Sequence, residues 1–261
     1  MKKILAGLVL AAVTLIGSNA FAQMQKPSKP CIVLVHGAFA DASSWAGVIK
    51  ILRKDGYVVI AAANPLRGVK SDGQYIGSLV GSLKEPVVLV GHSYGGSVIT
   101  EAANDHPNVK ALVYVAAFAP VTGESAADLA NKFPGSTLGP TLAPPVPLSD
   151  GGKDLYILQD KFHAQFAADV PVAQAALMAA TQRPITEAAL NEKSGKAAWQ
   201  AVPSWHIYGA ADKNIPQEAM AFMAKRANAK DVKVVKGASH VVMVSHAEEV
   251  AHLIEEAAAA K

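Results

Sequence analysis

Pro86-Val87-Val88-Leu89-Val90 runs straight into Gly91-His92-Ser93-Tyr94-Gly95, and a helix-like stretch follows. An apolar strand, a sharp turn and a helix together form the context in which a serine is presented as a nucleophile. A Gly-x-Ser-x-Gly string alone carries little weight, because both residues are abundant in loops. Here its position supplies the weight. Glycines at 91 and 95 remove Cβ atoms where strand and helix come close, so Ser93 Oγ is expected to project at the carboxyl end of a sheet.

Strand and helix alternate on both sides of that turn. Cys31-Ile32-Val33-Leu34-Val35 reads as a strand, and Trp45, Val48, Ile49 and Leu52 then recur at helical spacing. Gly56 stops that helix and Tyr57-Val58-Val59-Ile60 begins another strand. Residues 75–83 read as helix, 87–90 as strand, 95–104 as helix and 111–116 as strand. The rhythm demands parallel pairing with right-handed crossovers, and uniformly apolar strands are those of a sheet covered on both faces. The expected class is therefore α/β, a mostly parallel doubly wound sheet.

At Pro120 the rhythm breaks. Pro134, Pro140, Pro144, Pro145 and Pro147 precede helix-like stretches at 159–167 and 171–180, and no strand-like run of comparable strength appears before Pro203. Loops of this length without a function are uncommon, so the insertion at about 120–203 reads as a helical cap over the serine. It would exclude water and shape an apolar pocket. Phe133, Leu142, Leu177 and Met178 are available to line it, and Tyr156, Phe162 and Phe166, with Phe39 from the core, are the expected substrate contacts.

A serine hydroxyl needs a base, and the base needs a carboxylate to fix its tautomer and stabilise the imidazolium. Ser204-Trp205-His206-Ile207-Tyr208 reads as a buried strand that breaks into a loop carrying Asp212. Val232-Lys233-Val234-Val235 is another, followed by a loop carrying His240 before a helix near Ala247. Both residues follow strands on the same edge as Ser93. The other acids and histidines fit less well. Asp231 precedes its strand, and Asp160 and Asp169 fall in the cap. His246 sits beside Glu248 and Glu249 at a helix start; His106, His163 and His252 lie on helix-like segments; His206 is inside a strand. His36 reads as a structural histidine bonded to the loops around it. An oxyanion needs two N–H donors, expected from Tyr94 after the serine and from Ala38 in the turn after the first strand, with Phe39 the alternative to Ala38.

Together these residues resemble the α/β-hydrolase fold family, and within it the small esterases related to plant salicylate methylesterases and hydroxynitrile lyases. The resemblance rests on Leu34-Val35-His36-Gly37-Ala38, Leu89-Val90-Gly91-His92-Ser93, Asp212-Lys213-Asn214-Ile215-Pro216 and Lys236-Gly237-Ala238-Ser239-His240. It implies a Ser93, Asp212, His240 triad and an oxyanion hole at the amides of Ala38 and Tyr94. Relatives that cleave cyanohydrins are expected to carry threonine and lysine where this chain has Gly37 and Val241, so ester hydrolysis is the better reading. Haloalkane dehalogenation is disfavoured, since it uses a carboxylate nucleophile at the elbow.

Residues 1–22 read as a cleaved signal peptide: Lys2 and Lys3, an apolar stretch from Ile4 to Ile16, then Ala20-Phe21-Ala22. The apolar run is short for a membrane span. Residues 23–261 are then one exported domain, periplasmic or extracellular if the chain is bacterial. Cys31 is the only cysteine, so no internal disulfide is possible. No cysteine or histidine cluster has metal-site spacing, so neither metal nor cofactor is implied. A net charge of +3 with dispersed Lys and Arg gives no basic stripe for nucleic acid. The expected protein is an exported serine carboxylesterase for small to medium hydrophobic esters. The alternatives are a receptor-like binding protein with negligible turnover, or a hydrolase of amides, lactones or carbon–carbon bonds.

Overall fold

The computed structural model describes residues 29–260. The proposed signal peptide lies outside the described residues. Six strands form one all-parallel sheet in the order β2-β1-β3-β4-β8-β9. In chain order the core elements are β1 (Cys31–Val35), α1 (Ala46–Lys54), β2 (Val59–Ala62), α2 (Val69–Ser82), β3 (Val87–His92), α3 (Tyr94–Ala102) and β4 (Val109–Val115). The sheet resumes after an insertion that contains α4 (Ala126–Ala130), β5 (Val146–Pro147), β6 (Lys153–Leu155), α5 (Gln159–Phe166), α6 (Val172–Thr181), β7 (Ile185–Thr186) and α7 (Glu187–Asn191). It closes with β8 (Ser204–Gly209), α8 (Gln217–Arg226), β9 (Asp231–Val235), α9 (Val242–Ser245) and α10 (Ala247–Ala259).

The chain runs from β1 outward to β2, then returns past β1 to place β3 on its other side. Strand order reverses at that pair, and a crevice opens at the carboxyl ends of β1 and β3. Central strands β1, β3 and β8 are buried at every residue. The edge strand β9 departs from that pattern: Val232 and Val234 are exposed.

The expected helix over 75–83 starts earlier, at Val69, because the Asp72 carboxylate accepts the Arg67 N–H at 3.1 and 3.2 Å and closes the first turn. The insertion holds the two expected helices as α5 and α6. It also holds a three-stranded antiparallel sheet, β5-β6-β7, that the sequence reading did not anticipate. Those strands are two or three residues long, too short for alternation to register. Among the described residues no helix is long and apolar enough to cross a membrane.

Candidate active site

Ser93 links β3 to α3 with φ 55° and ψ −124°, a strained backbone for a residue with a Cβ. The turn closes because Gly91 has no side chain: a Cβ there would stand 2.5 Å from the Gly95 carbonyl oxygen. Tyr94 opens α3, so its N–H has no intrahelical acceptor. The turn after β1 brings Ala38 and Phe39 alongside. Phe39 has φ 60°, and its N–H donates to the Arg183 carbonyl at 2.9 Å. That bond engages the Phe39 amide; among the described residues no hydrogen bond engages that of Ala38.

The loop after β8 carries Asp212 and the loop after β9 carries His240, both buried. His240 donates from Nδ1 to Asp212 Oδ2 at 2.6 Å. Asp212 Oδ1 accepts the backbone N–H groups of Asn214 at 2.7 Å and Ile215 at 3.1 Å, so both carboxylate oxygens are committed. The cap steadies this loop from outside. Gln165 donates to the Lys213 carbonyl and to Asn214 Oδ1, each at 2.9 Å, while accepting from Thr137 Oγ1 at 2.9 Å.

Two further histidines have structural partners. His92 donates from Nε2 to the His240 carbonyl at 3.1 Å and leaves Nδ1 without a partner. Burial, and then the neighbouring His240, hold His92 well below the usual imidazole range, so it stays neutral. His36 donates from Nδ1 to the Gly37 carbonyl at 2.9 Å and accepts the Asn64 N–H at Nε2 at 3.0 Å, stapling two loops as expected. Burial pushes its pKa down as well.

Ser93, Tyr94, His240 and Ala38 line one cavity of about 90 Å³ between the sheet edge and the cap. Phe39 and Phe166 line it too, their rings edge to face at 6.2 Å, and Phe166 also meets the His240 ring at 5.0 Å. Tyr156 and Phe162 are not among the lining residues. Phe162 is buried behind Phe166 with ring centroids 4.9 Å apart. The remaining wall was not singled out from sequence as substrate contact: Phe118 just past β4, Ala126, Ala127 and Ala130 on α4, and Ser136, Leu138, Leu190, Asn214 and Ile215. A signal for α4 was present. Ser125 and Asp128 form a capping box in which Asp128 N–H donates to Ser125 Oγ at 3.1 Å and Ser125 N–H to Asp128 Oδ2 at 2.8 Å. Among the described residues no group of three or more His, Cys, Asp or Glu side chains could hold a metal ion.

A parallel sheet with an elbow serine at its reversal point, an Asp–His pair on neighbouring loops and a cap above them defines an α/β hydrolase. The chain matches that family over residues 32–253 and belongs to it. It is 27% identical over 235 residues to an α-hydroxynitrile lyase of Arabidopsis thaliana, covering 82% of this chain and 91% of the relative. It is 26% identical over 259 residues to esterase PIR7B of Oryza sativa subsp. japonica, covering 89% and 97%. Among solved structures, polyneuridine aldehyde esterase superposes with a TM-score of 0.75 at 21% identity, covering 88% of this chain and 99% of that one.

Proposed function

We propose that this hydrolase is an exported, cofactor-free serine carboxylesterase acting on small hydrophobic esters. The observation that carries the reading is that His240, bonded to Asp212 at 2.6 Å, lines the same cavity as Ser93. Ser93 Oγ attacks the ester carbonyl carbon and passes its proton to His240 Nε2. The oxygen of the tetrahedral intermediate accepts from the amides of Ala38 and Tyr94. His240 then protonates the departing alcohol, leaving the acyl group on Ser93. Water enters and attacks the acyl carbon while giving one proton to His240; the bond to Ser93 Oγ then breaks, His240 returns that proton to Oγ, and the carboxylic acid leaves.

Apolar walls and the small cavity volume support a compact acyl or alcohol group. Export rests on the composition of residues 1–22. Similarity to a hydroxynitrile lyase raises cyanohydrin cleavage as a second reading, and two positions weigh against it. A Cβ at Gly37 would lie 2.6 Å from Ser93 Cβ and 2.7 Å from the His92 carbonyl oxygen, so a threonine there does not fit this backbone. Position 241 is a buried valine, so it supplies no cation to stabilise leaving cyanide.

Hydrolysis of p-nitrophenyl acetate tests the assignment. The parent should turn over and Ser93→Ala should lose at least ~10³-fold in kcat. Equal rates for the two proteins would refute the serine mechanism, and stoichiometric binding without turnover would favour a receptor.

A further inference from the structure

Among the described residues three core positions outside the triad, Phe39, Leu66 and Ala116, hold positive φ, and two of them, Phe39 and Leu66, are bonded to the cap. Both are buried, both lack the freedom of glycine, and both hold left-handed backbone, with φ 60° and 62°. Phe39 follows Ala38 in the loop after β1, and Leu66 precedes Arg67 in the loop after β2. The same short run of the cap bonds each of them. Phe39 N–H donates to the Arg183 carbonyl at 2.9 Å, and Thr186 N–H donates to the Leu66 carbonyl at 3.1 Å.

Arg67 ties that run down further. Its guanidinium donates to Asp154 Oδ1 on β6 at 2.6 Å and to the Pro184 carbonyl at 2.9 Å, while its own carbonyl accepts from Thr186 Oγ1 at 3.0 Å. On the core side its N–H donates to the buried Asp72 carboxylate, and Asp72 Oδ2 accepts the Tyr94 hydroxyl at 3.0 Å. One cap segment, residues 183–186, is therefore connected along two routes to the two residues whose amides serve as oxyanion donors. The first passes through Phe39 to Ala38, and the second through Arg67 and Asp72 to Tyr94.

Resting on the esterase reading above, we infer that Arg67 is a positioning residue that clamps the cap to the core and thereby fixes both oxyanion donors. Neither Arg67 nor Asp154 lines the cavity, so their loss acts through geometry and not through substrate contact. A hydrogen bond aimed at the developing oxyanion strengthens mainly in the transition state, so misplacing the donor lowers kcat more than it raises KM.

The test compares the parent with Asp154→Ala, which removes one arm of the clamp, and Arg67→Met, which removes three side-chain bonds while keeping a long apolar stem. Each is assayed for kcat and KM on p-nitrophenyl acetate and for inhibition by butylboronic acid, whose tetrahedral adduct occupies the oxyanion site. The expected result is a kcat loss of about threefold for Asp154→Ala and at least tenfold for Arg67→Met, with boronic acid affinity falling by the same factors and KM within about twofold. Arg67→Lys should recover part of the loss. If Arg67→Met does not fold, Asp154→Ala decides alone. Folded variants that keep parental kcat and boronic acid affinity, or that raise KM alone, overturn the clamp while leaving the esterase intact. A parent inert to both the ester and the boronic acid overturns the esterase reading and the clamp with it.

Discussion

Asp212→Asn is the most severe isosteric change this site admits, and its effect follows from which oxygen does what. Oδ1 accepts two backbone N–H groups, from Asn214 and Ile215, and only Oδ2 faces His240. An asparagine must keep its carbonyl oxygen toward the two amides, since turning its NH2 that way would set donors against donors. Its NH2 therefore faces His240 Nδ1. That nitrogen must then accept instead of donate, which moves the ring proton to Nε2. An imidazole protonated there cannot take the Ser93 proton. The triad is left with the wrong tautomer and an intact fold. A loss of about 10⁴-fold in kcat is expected, close to 5.5 kcal/mol of transition-state stabilisation. Asp212→Ala, which leaves the ring free to choose its tautomer, should lose no more than this. Stopped-flow acylation with p-nitrophenyl acetate measures both, with circular dichroism to confirm folding. A folded asparagine variant within tenfold of the parent would refute the tautomer argument.

Two further outcomes are expected. His206 is buried in β8 and stacked on Tyr114 with centroids 4.6 Å apart; burial pushes its pKa from 6.5 down to about 3. Below pH 6.5 the unfolded chain takes up a proton that the folded chain refuses, so this stability is complete above that pH and is lost as pH falls toward 3. The slope is ~1.4 kcal/mol per pH unit. His206→Phe keeps the stack and removes the titration, so between pH 7.5 and 4.5 it should lose less stability than the parent in urea melts, by an amount on the order of 2–3 kcal/mol. Superimposable pH dependences would contradict the assigned cause. Ala130→Leu should fill much of the roughly 90 Å³ cavity and cut kcat/KM for p-nitrophenyl butyrate about tenfold more than for the acetate. Equal losses on both esters would mean that α4 does not bound the acyl group.

Elements whose causes are local could be read from the chain. The strand into Ser93 is apolar because both its faces are covered, and its turn needs glycine at 91 because the Gly95 carbonyl passes within 2.5 Å of where a Cβ would be. Asp212 and His240 could be placed because each follows a strand with a buried apolar signature or a clear break. The early start of α2 left no local signal because the group that closes its first turn points inward: Asp72 is buried and bonded to Arg67 and Tyr94. Burial raises its pKa against the usual carboxylate value, a cost that no local pattern records. The strand β9 could be recognised, but not that Val232 and Val234 face solvent, since edge position is a property of the assembled sheet.

The pocket was less legible than the triad, and the reason is the same that gives the cap its hold on the site. Aromatic residues in the insertion are the obvious candidates for substrate contact, but large side chains are also what a small cap needs for its own core, and Phe162 is spent there. Of the insertion's aromatics named from the sequence as substrate contacts only Phe166 lines the cavity with Ser93, and beside it stands the alanine face of α4, whose small side chains leave the space open. Left-handed Phe39 and Leu66 had no sequence signature either, since neither is glycine or asparagine. Their conformation is held by hydrogen bonds from residues 183–186, more than a hundred positions downstream. The elbow turn at Ser93 can be specified by ten consecutive residues, whereas the pocket wall and the bonds of Arg67 to the cap exist only once the cap has docked.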